Sequence, residues 1–204
     1  MWKWIIILCM GFSTLLHAEP KILAFAGSTR EDSANKKLVL EAATLARQQG
    51  AFVTVIDLKN FPIAFYDADL ESKEGMPSKA RQLRQLMIDS DVILIASPEY
   101  NGSLSASLKN AIDWASRGEA GGSSREAFAG KIFGLMSASP GQGGGARGLV
   151  HLRNIIENIG GTVLPQQVVV PNSYKAFDSQ GHLKDEKIKM EINQLIQAAI
   201  HQRR

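Results

Sequence analysis

Cysteine is nearly missing from this chain: 204 residues contain one, Cys9. A single thiol cannot close an intramolecular disulfide, and it excludes an all-cysteine zinc or iron–sulfur site. Histidine is scarce as well. His17, His151, His182 and His201 stand singly, without the spacing that brings two imidazoles to one metal. No Ser-His-Asp constellation stands out, because "GSLSAS" is not a Gly-x-Ser-x-Gly elbow. Charge of either sign is not in large excess: Lys plus Arg is 23 and Asp plus Glu is 20, a net of +3. No basic run or basic helical face is present, so nucleic acid is not an expected partner. The closing "HQRR" reads as a solvated helix end.

Long apolar runs are also rare, and the one that exists is at the front. "MWKWIIILCMGFSTLLHA" has one Lys, an uncharged run from Trp4 to Leu16, and a small residue at Ala18. That is the layout of a secretory leader cleaved after Ala18, and the run is short for a membrane span. The expectation is a signal peptide over residues 1–18, a single domain over 19–204, and an exported or periplasmic protein. An uncleaved segment would make a membrane anchor, and a start at Met10 would leave a cytoplasmic protein. Cleavage would remove Lys3 and Cys9, leaving a charge of 22 − 20 = +2 and no cysteine.

What is present is an α/β pattern. Apolar content is 45% and charged content 21%, a globular composition of a length that suits one α/β domain. Short, nearly continuous apolar runs cover Ile22–Ala26, Phe52–Ile56, Val92–Ala96, Ile132–Met136 and Val163–Val170. Continuous rather than alternating runs suit a parallel sheet covered on both faces. Helical patterns alternate with them. Leu104, Leu108, Ala111, Ile112 and Ala115 share a face, as do Leu149, Leu152, Ile155, Ile156 and Ile159. Ile188, Ile192, Leu195, Ile196 and Ala199 repeat the spacing near the end. Gly50 and Gly160 stand at plausible helix stops. Repeated strand–helix units predict a doubly wound five-stranded parallel sheet in order 2-1-3-4-5. Residues 60–78, 117–130 and 139–148 read as loops, and the first is long enough to suggest a functional role.

In such a sheet, ligands bind beyond the carboxyl ends of the strands where the winding reverses. "GSTREDSAN" (27–35) follows the first strand with glycine, hydroxyls, Arg30 and Asn35. Several neutral donors and one cation beside a helix start suit a phosphate monoester. The stretch lacks the Gly-x4-Gly-Lys-Ser/Thr and Gly-x-Gly-x-x-Gly patterns, so a triphosphate or a dinucleotide pyrophosphate fits less well. An ordinary capped turn is the other reading. "SPEYNGSLSASLKNAIDWASR" (97–117) puts a carboxylate, a ring and an amide after the third strand, suited to a planar heteroaromatic or to helix capping. Trp114 reads as packing. "SASPGQGGGARG" (137–148) permits close backbone approach to a ligand after the fourth strand.

These three loops, extended to "AFAGKIFGLMSASPGQGGGARGLVHLRNIIENIGGTVLP", resemble the NADPH-dependent FMN reductase family. That is the flavodoxin-like group that includes bacterial quinone, chromate and azo-dye reductases. "PIAFYDADLE" resembles the group's connection after the second strand, and the likeness runs from about Lys21 to Pro171. The leader departs from the family pattern. The resemblance implies a flavodoxin-like three-layer αβα fold, bound FMN, NADPH or NADH as co-substrate, and a homodimer or homotetramer. It implies hydride passing from NAD(P)H through FMN to a small acceptor such as a quinone. By similarity, Ser28, Arg30, Ser33 and Asn35 hold the FMN phosphate, with the backbone of Gly27 and Thr29 in the same turn. Pro98, Glu99, Tyr100, Asn101 and Gly102 line the ribityl chain and the isoalloxazine ring. Ser137, Ala138, Ser139 and Gly141 border the ring from the other side. No catalytic side chain is implied, because the flavin carries the chemistry. The alternative is a non-enzymatic flavodoxin-like carrier or sensor.

Overall fold

Five of the apolar runs become neighbours in one parallel sheet. The computed structural model describes residues 18–203, so the signal peptide expected over 1–18, apart from Ala18, lies outside the described residues. In chain order the elements are β1 (Lys21–Ala26), α1 (Ala34–Gln48), β2 (Phe52–Asp57), α2 (Ala68–Glu74) and α3 (Ser78–Ile88). Next come β3 (Val92–Ala96), β4 (Glu99–Tyr100), β5 (Ser103–Leu104), α4 (Ala106–Ala115) and β6 (Ile132–Ala138). The chain ends with α5 (Ala146–Asn158), β7 (Thr162–Val170), α6 (Ser173–Ala176) and α7 (Glu186–Gln202).

The sheet order is β2-β1-β3-β6-β7, and every pair is parallel. Counting only these strands, that is the expected 2-1-3-4-5. Every residue of β3 and β6 is buried, which is why their sequences read as unbroken apolar runs. Within β1 the pleat still sorts side chains. Ile22, Ala24 and Ala26 face α1 and α7, packing with Leu38, Leu195 and Ile196. Leu23 and Phe25 face the opposite layer, packing with Leu83, Leu108 and Leu149 from α3, α4 and α5. Each fully buried Leu or Phe contributes on the order of 1.5–3 kcal/mol.

Residues 61–77 form a strap rather than a featureless loop. Asn110 of α4 is the buckle: its Oδ1 accepts the Tyr66 N–H at 2.8 Å, and its Nδ2 donates to the carbonyls of Ile63 and Ala64 at 3.3 and 3.1 Å. Trp114 Nε1 donates to the Ala64 carbonyl at 2.8 Å, and its ring meets Tyr66 edge-on at 5.1 Å. Trp114 is fully buried, a packing residue as expected. The far end of the strap, α2, was not read from sequence, and neither was α3. The Glu71 carboxylate of α2 accepts from Arg117 Nε at 2.9 Å and Nη2 at 2.7 Å, and from Tyr66 Oη at 3.1 Å. These donors, Arg117 foremost, hold Glu71 below the usual carboxylate range although burial opposes them.

Glu71 is 7% exposed, so Glu71→Ala strands a cation that keeps only part of its hydration. The expected cost is about 3 kcal/mol, the low end for a broken buried pair. That corresponds to a Tm roughly 6–12 °C lower, measured by thermal denaturation. The stabilisation from Glu71 is complete above its unfolded pKa, about 4.3. It is lost as pH falls through the depressed folded value, so the gap between wild type and variant closes in acid.

Candidate functional site

The site is built where β1, β3 and β6 end together. The Gly27 N–H extends the sheet ladder to the Ala96 carbonyl at 2.9 Å. A Cβ on Gly27 would lie 2.8 Å from Leu108 Cδ2, so only glycine lets α4 dock against this turn. The Ser107 hydroxyl donates to the Gly27 carbonyl at 3.2 Å, and the Ser105 hydroxyl donates to the same oxygen. The turn is thus gripped from behind, and its front faces a cavity of about 260 Å³.

Ser28, Arg30, Ser33 and Asn35 all line that cavity. Ser33 is the N-cap of α1 and is buried, yet its side chain makes no capping bond. Asp67, Ser105 and Asp185 do cap α2, α4 and α7 through their side chains. The start of α1 therefore keeps its free N–H groups and its partial positive charge at the cavity wall. Arg30 has no ion-pair partner among the described residues. The carboxylates nearby are engaged elsewhere: Asp32 pairs with Lys37 Nζ at 2.6 Å, and Asp178 accepts the backbone N–H groups of Gln180 and His182, each at 2.9 Å. Lys37 and the His182 N–H respectively are the main causes holding these two carboxyls below their usual range.

Asn35 does something the sequence did not indicate. Its Nδ2 donates to the Ala138 carbonyl and its Oδ1 accepts the Ala138 N–H, both at 2.9 Å. The side chain clasps the end of β6, which leaves the backbone of the first turn, rather than this amide, at the socket.

Pro98, Glu99 and Tyr100 line the second wall. Asn101 and Gly102 do not. They form the turn of the β4–β5 hairpin, with φ of 51° and 79°. Two left-handed residues in a two-residue hairpin are what Asn-Gly supplies. Residues 99–104, read from sequence only as an irregular stretch after the third strand, are therefore a small antiparallel hairpin, whose Asn-Gly signal stood in the sequence. Glu99 Oε1 accepts from Arg147 Nε at 3.1 Å and Nη2 at 2.9 Å, and Oε2 accepts the Gly148 N–H at 3.0 Å. Burial pushes the Glu99 carboxyl up, but the Gly148 amide and the Arg147 guanidinium outweigh it and hold the group low.

Ala138 and Ser139 form the third wall, whereas Ser137 and Gly141 stand off the cavity. Ser137 is fully buried beneath Gly145, where a Cβ would fall 1.9 Å from its Oγ. Thr29 faces a separate cleft with Phe61 and Ile63. The sequence missed a fourth wall altogether. The chain after β7 turns through Asn172 at φ 50°, and the Ser173 N–H donates to the Ser139 carbonyl at 3.1 Å. That bond brings Ser173, Tyr174 and Phe177 to the cavity. Tyr174 stands 82% exposed at its rim.

The arrangement suits a phosphate monoester on a longer polar arm: an uncapped helix start, one cation without an ion-pair partner among the described residues, and walls of backbone, small side chains and the rings of Tyr100, Tyr174 and Phe177. The family model for NADPH-dependent FMN reductases matches residues 20–175. The chain belongs to the NADPH-dependent FMN reductase family. It is 35% identical over 179 residues to a NAD(P)H-dependent FMN reductase of Pseudomonas aeruginosa, covering 87% of this chain and 92% of the relative. It is 33% identical to the NADPH:quinone oxidoreductase of Arabidopsis thaliana, covering 86% and 88%. The flavoenzyme NAD(P)H:(acceptor) oxidoreductase FerB of Paracoccus denitrificans superposes with a TM-score of 0.74 at 27% identity, covering 89% of this chain and 96% of that one. The fold is flavodoxin-like, and the protein is an oxidoreductase that uses FMN and a nicotinamide dinucleotide. The relatives support this enzyme reading, not the electron-carrier alternative.

Asn35→Ala removes both bonds to Ala138 and leaves two buried main-chain groups unpaired. The expected loss is about 1–3 kcal/mol of stability with weakened FMN binding, checked by urea denaturation and FMN titration.

Proposed function

We propose that this reductase takes hydride from NAD(P)H and delivers it, through FMN seated in the cavity, to a small quinone-like acceptor. The carrying observation is the uncapped, buried start of α1 beside Arg30, which has no ion-pair partner among the described residues. FMN fits these residues: its phosphate is a monoester dianion, which the helix terminus and one guanidinium neutralise without the cations that a pyrophosphate demands. Bound FMN supplies the hydride acceptor and donor. The chain's own groups bind and orient. Ser28 and Ser33 offer hydroxyls to the phosphate arm, Arg30 supplies the charge, and the β4–β5 hairpin and residues 138–139 form two further walls. No side chain is required as general acid or base.

The quinone reading draws support from relatives named as quinone reductases, among them one from Escherichia coli at 36% identity over 67% of this chain. Assembly as a homodimer or homotetramer is part of the same proposal, with the strap near the interface, where Phe65 stands exposed. Light scattering at micromolar concentration tests it, and a monomer would count against it. Export directed by residues 1–18 is likewise proposed. Fractionation with a C-terminal tag would show mature protein outside the cytoplasm, and a full-length soluble cytoplasmic protein would overturn it.

Residues 19–204 mixed with FMN should retain flavin absorption bands that bleach anaerobically on adding NADPH and recover on adding a benzoquinone. Bands that persist with NADPH would remove the reductase reading. Arg30→Ala should weaken FMN binding by about tenfold or more, as a charge-assisted contact is worth roughly 1.5–3 kcal/mol, with the fold unchanged by circular dichroism.

A further inference from the structure

Helix α5 begins without a cap of its own. Its N-cap is Gly145, left-handed at φ 93° and ψ 16°, with no side chain to offer. The capping group comes instead from Glu99, whose Oε2 accepts the N–H of Gly148, 49 positions later in the chain. Room for this is narrow. A Cβ on Gly148 would lie 3.2 Å from the Ser103 carbonyl and 3.4 Å from Glu99 Cβ. Arg147 closes over the other carboxylate oxygen from outside: the Arg147 side chain is 83% exposed, the Glu99 side chain 11%. A second tether lies one turn on, between His151 Nδ1 and Ser103 Oγ at 3.0 Å. The hairpin is thus laid along the first turns of α5 and held by the largely buried Glu99 carboxylate and by the His151–Ser103 contact.

The two elements joined in this way carry two walls of the cavity, at the ends of the neighbouring strands β3 and β6. Glu99 sits in the wall after β3, and the segment it grips follows residues 138–139, the wall after β6. We propose that Glu99 is a positioning residue: by capping α5 from the hairpin it sets the separation of the two walls, and so governs the fit of the FMN arm without serving as a phosphate ligand. Both of its oxygens are already engaged by α5. The phosphate socket at α1 belongs to a different part of the cavity and does not depend on the latch. The proposal rests on the FMN reading, but the latch itself can be measured without FMN.

Three measurements on Glu99→Ala, Glu99→Gln and Arg147→Ala test it. First, in the FMN-free protein, hydrogen exchange at the Gly148 amide and across 99–104 should quicken at least tenfold in Glu99→Ala. It should quicken less in Glu99→Gln, whose amide oxygen still accepts the Gly148 N–H. Second, FMN affinity should fall tenfold or more in Glu99→Ala and be partly restored in Glu99→Gln. The Glu99→Ala/Arg147→Ala double variant should lose less than the sum of the singles. Third, affinity for inorganic phosphate, followed by NMR shifts of the α1 amides, should stay within twofold of wild type. Wild-type exchange in Glu99→Ala combined with lost FMN affinity would make Glu99 a direct ligand and overturn the proposal. Unchanged FMN affinity would overturn it too, as would an equal fall in phosphate affinity, which would mean general destabilisation. If Glu99→Ala does not fold, Glu99→Gln and Arg147→Ala carry the same comparisons. If the wild type takes up no FMN, the FMN reading fails, and the exchange measurement alone then decides whether the latch exists.

Discussion

The paired hydrogen bonds between Asn35 and Ala138 set the frame on which the site depends. Asn35 belongs to the first turn of α1 and Ala138 to the last residue of β6. Between β1, which precedes α1, and β6 lies β3. A single buried amide therefore spans the strand from which the hairpin emerges and fixes the first and third walls to one another. Being buried, it cannot fall back on water, so breaking it leaves unpaired groups, and the geometry it selects is strongly preferred.

A common economy runs through the site. Polar side chains at and around the cavity, two of them expected at the ligand, are used to hold backbone. Asn35 holds Ala138, Glu99 holds the start of α5, and Asn110 holds the strap. What remains for a ligand is main-chain N–H at an uncapped helix, a few hydroxyls and one guanidinium. This suits a flavoprotein. The cofactor carries the reactivity, and the protein's task is a rigid slot whose dipoles are already oriented before binding. The strap contributes from the outer side. It fastens residues 61–77 to α4, whose first turn also grips the back of Gly27. Strap, α4 and phosphate turn thus form a continuous set of contacts.

Much of the fold was legible. Strands buried on both faces announce themselves as unbroken apolar runs, and β3 and β6 did so without ambiguity. The helices after them showed one apolar face each. The helices of the strap side were less visible. In α2, seven residues are too few to establish a period, and in α3 most of the sequence is polar because only a narrow stripe meets the sheet. The hairpin was missed although Asn101-Gly102 is a strong turn signal, because strands of two residues leave no alternation to notice.

The sequence by itself determined the layer architecture, the strand order and the family, because these follow from local burial patterns and from loop motifs that are contiguous in the chain. It also marked the turn after β1 as a candidate phosphate socket, since hydroxyls, a cation and a helix start stand together within nine residues. Only the tertiary structure decided which of those side chains face the cavity and which are spent on other loops. Asn35 meets Ala138 across 103 positions, Glu99 meets Gly148 across 49, and Tyr174 reaches the rim because Ser173 bonds Ser139. Such partnerships depend on where separate strands end in space, and spacing along a chain carries no record of that.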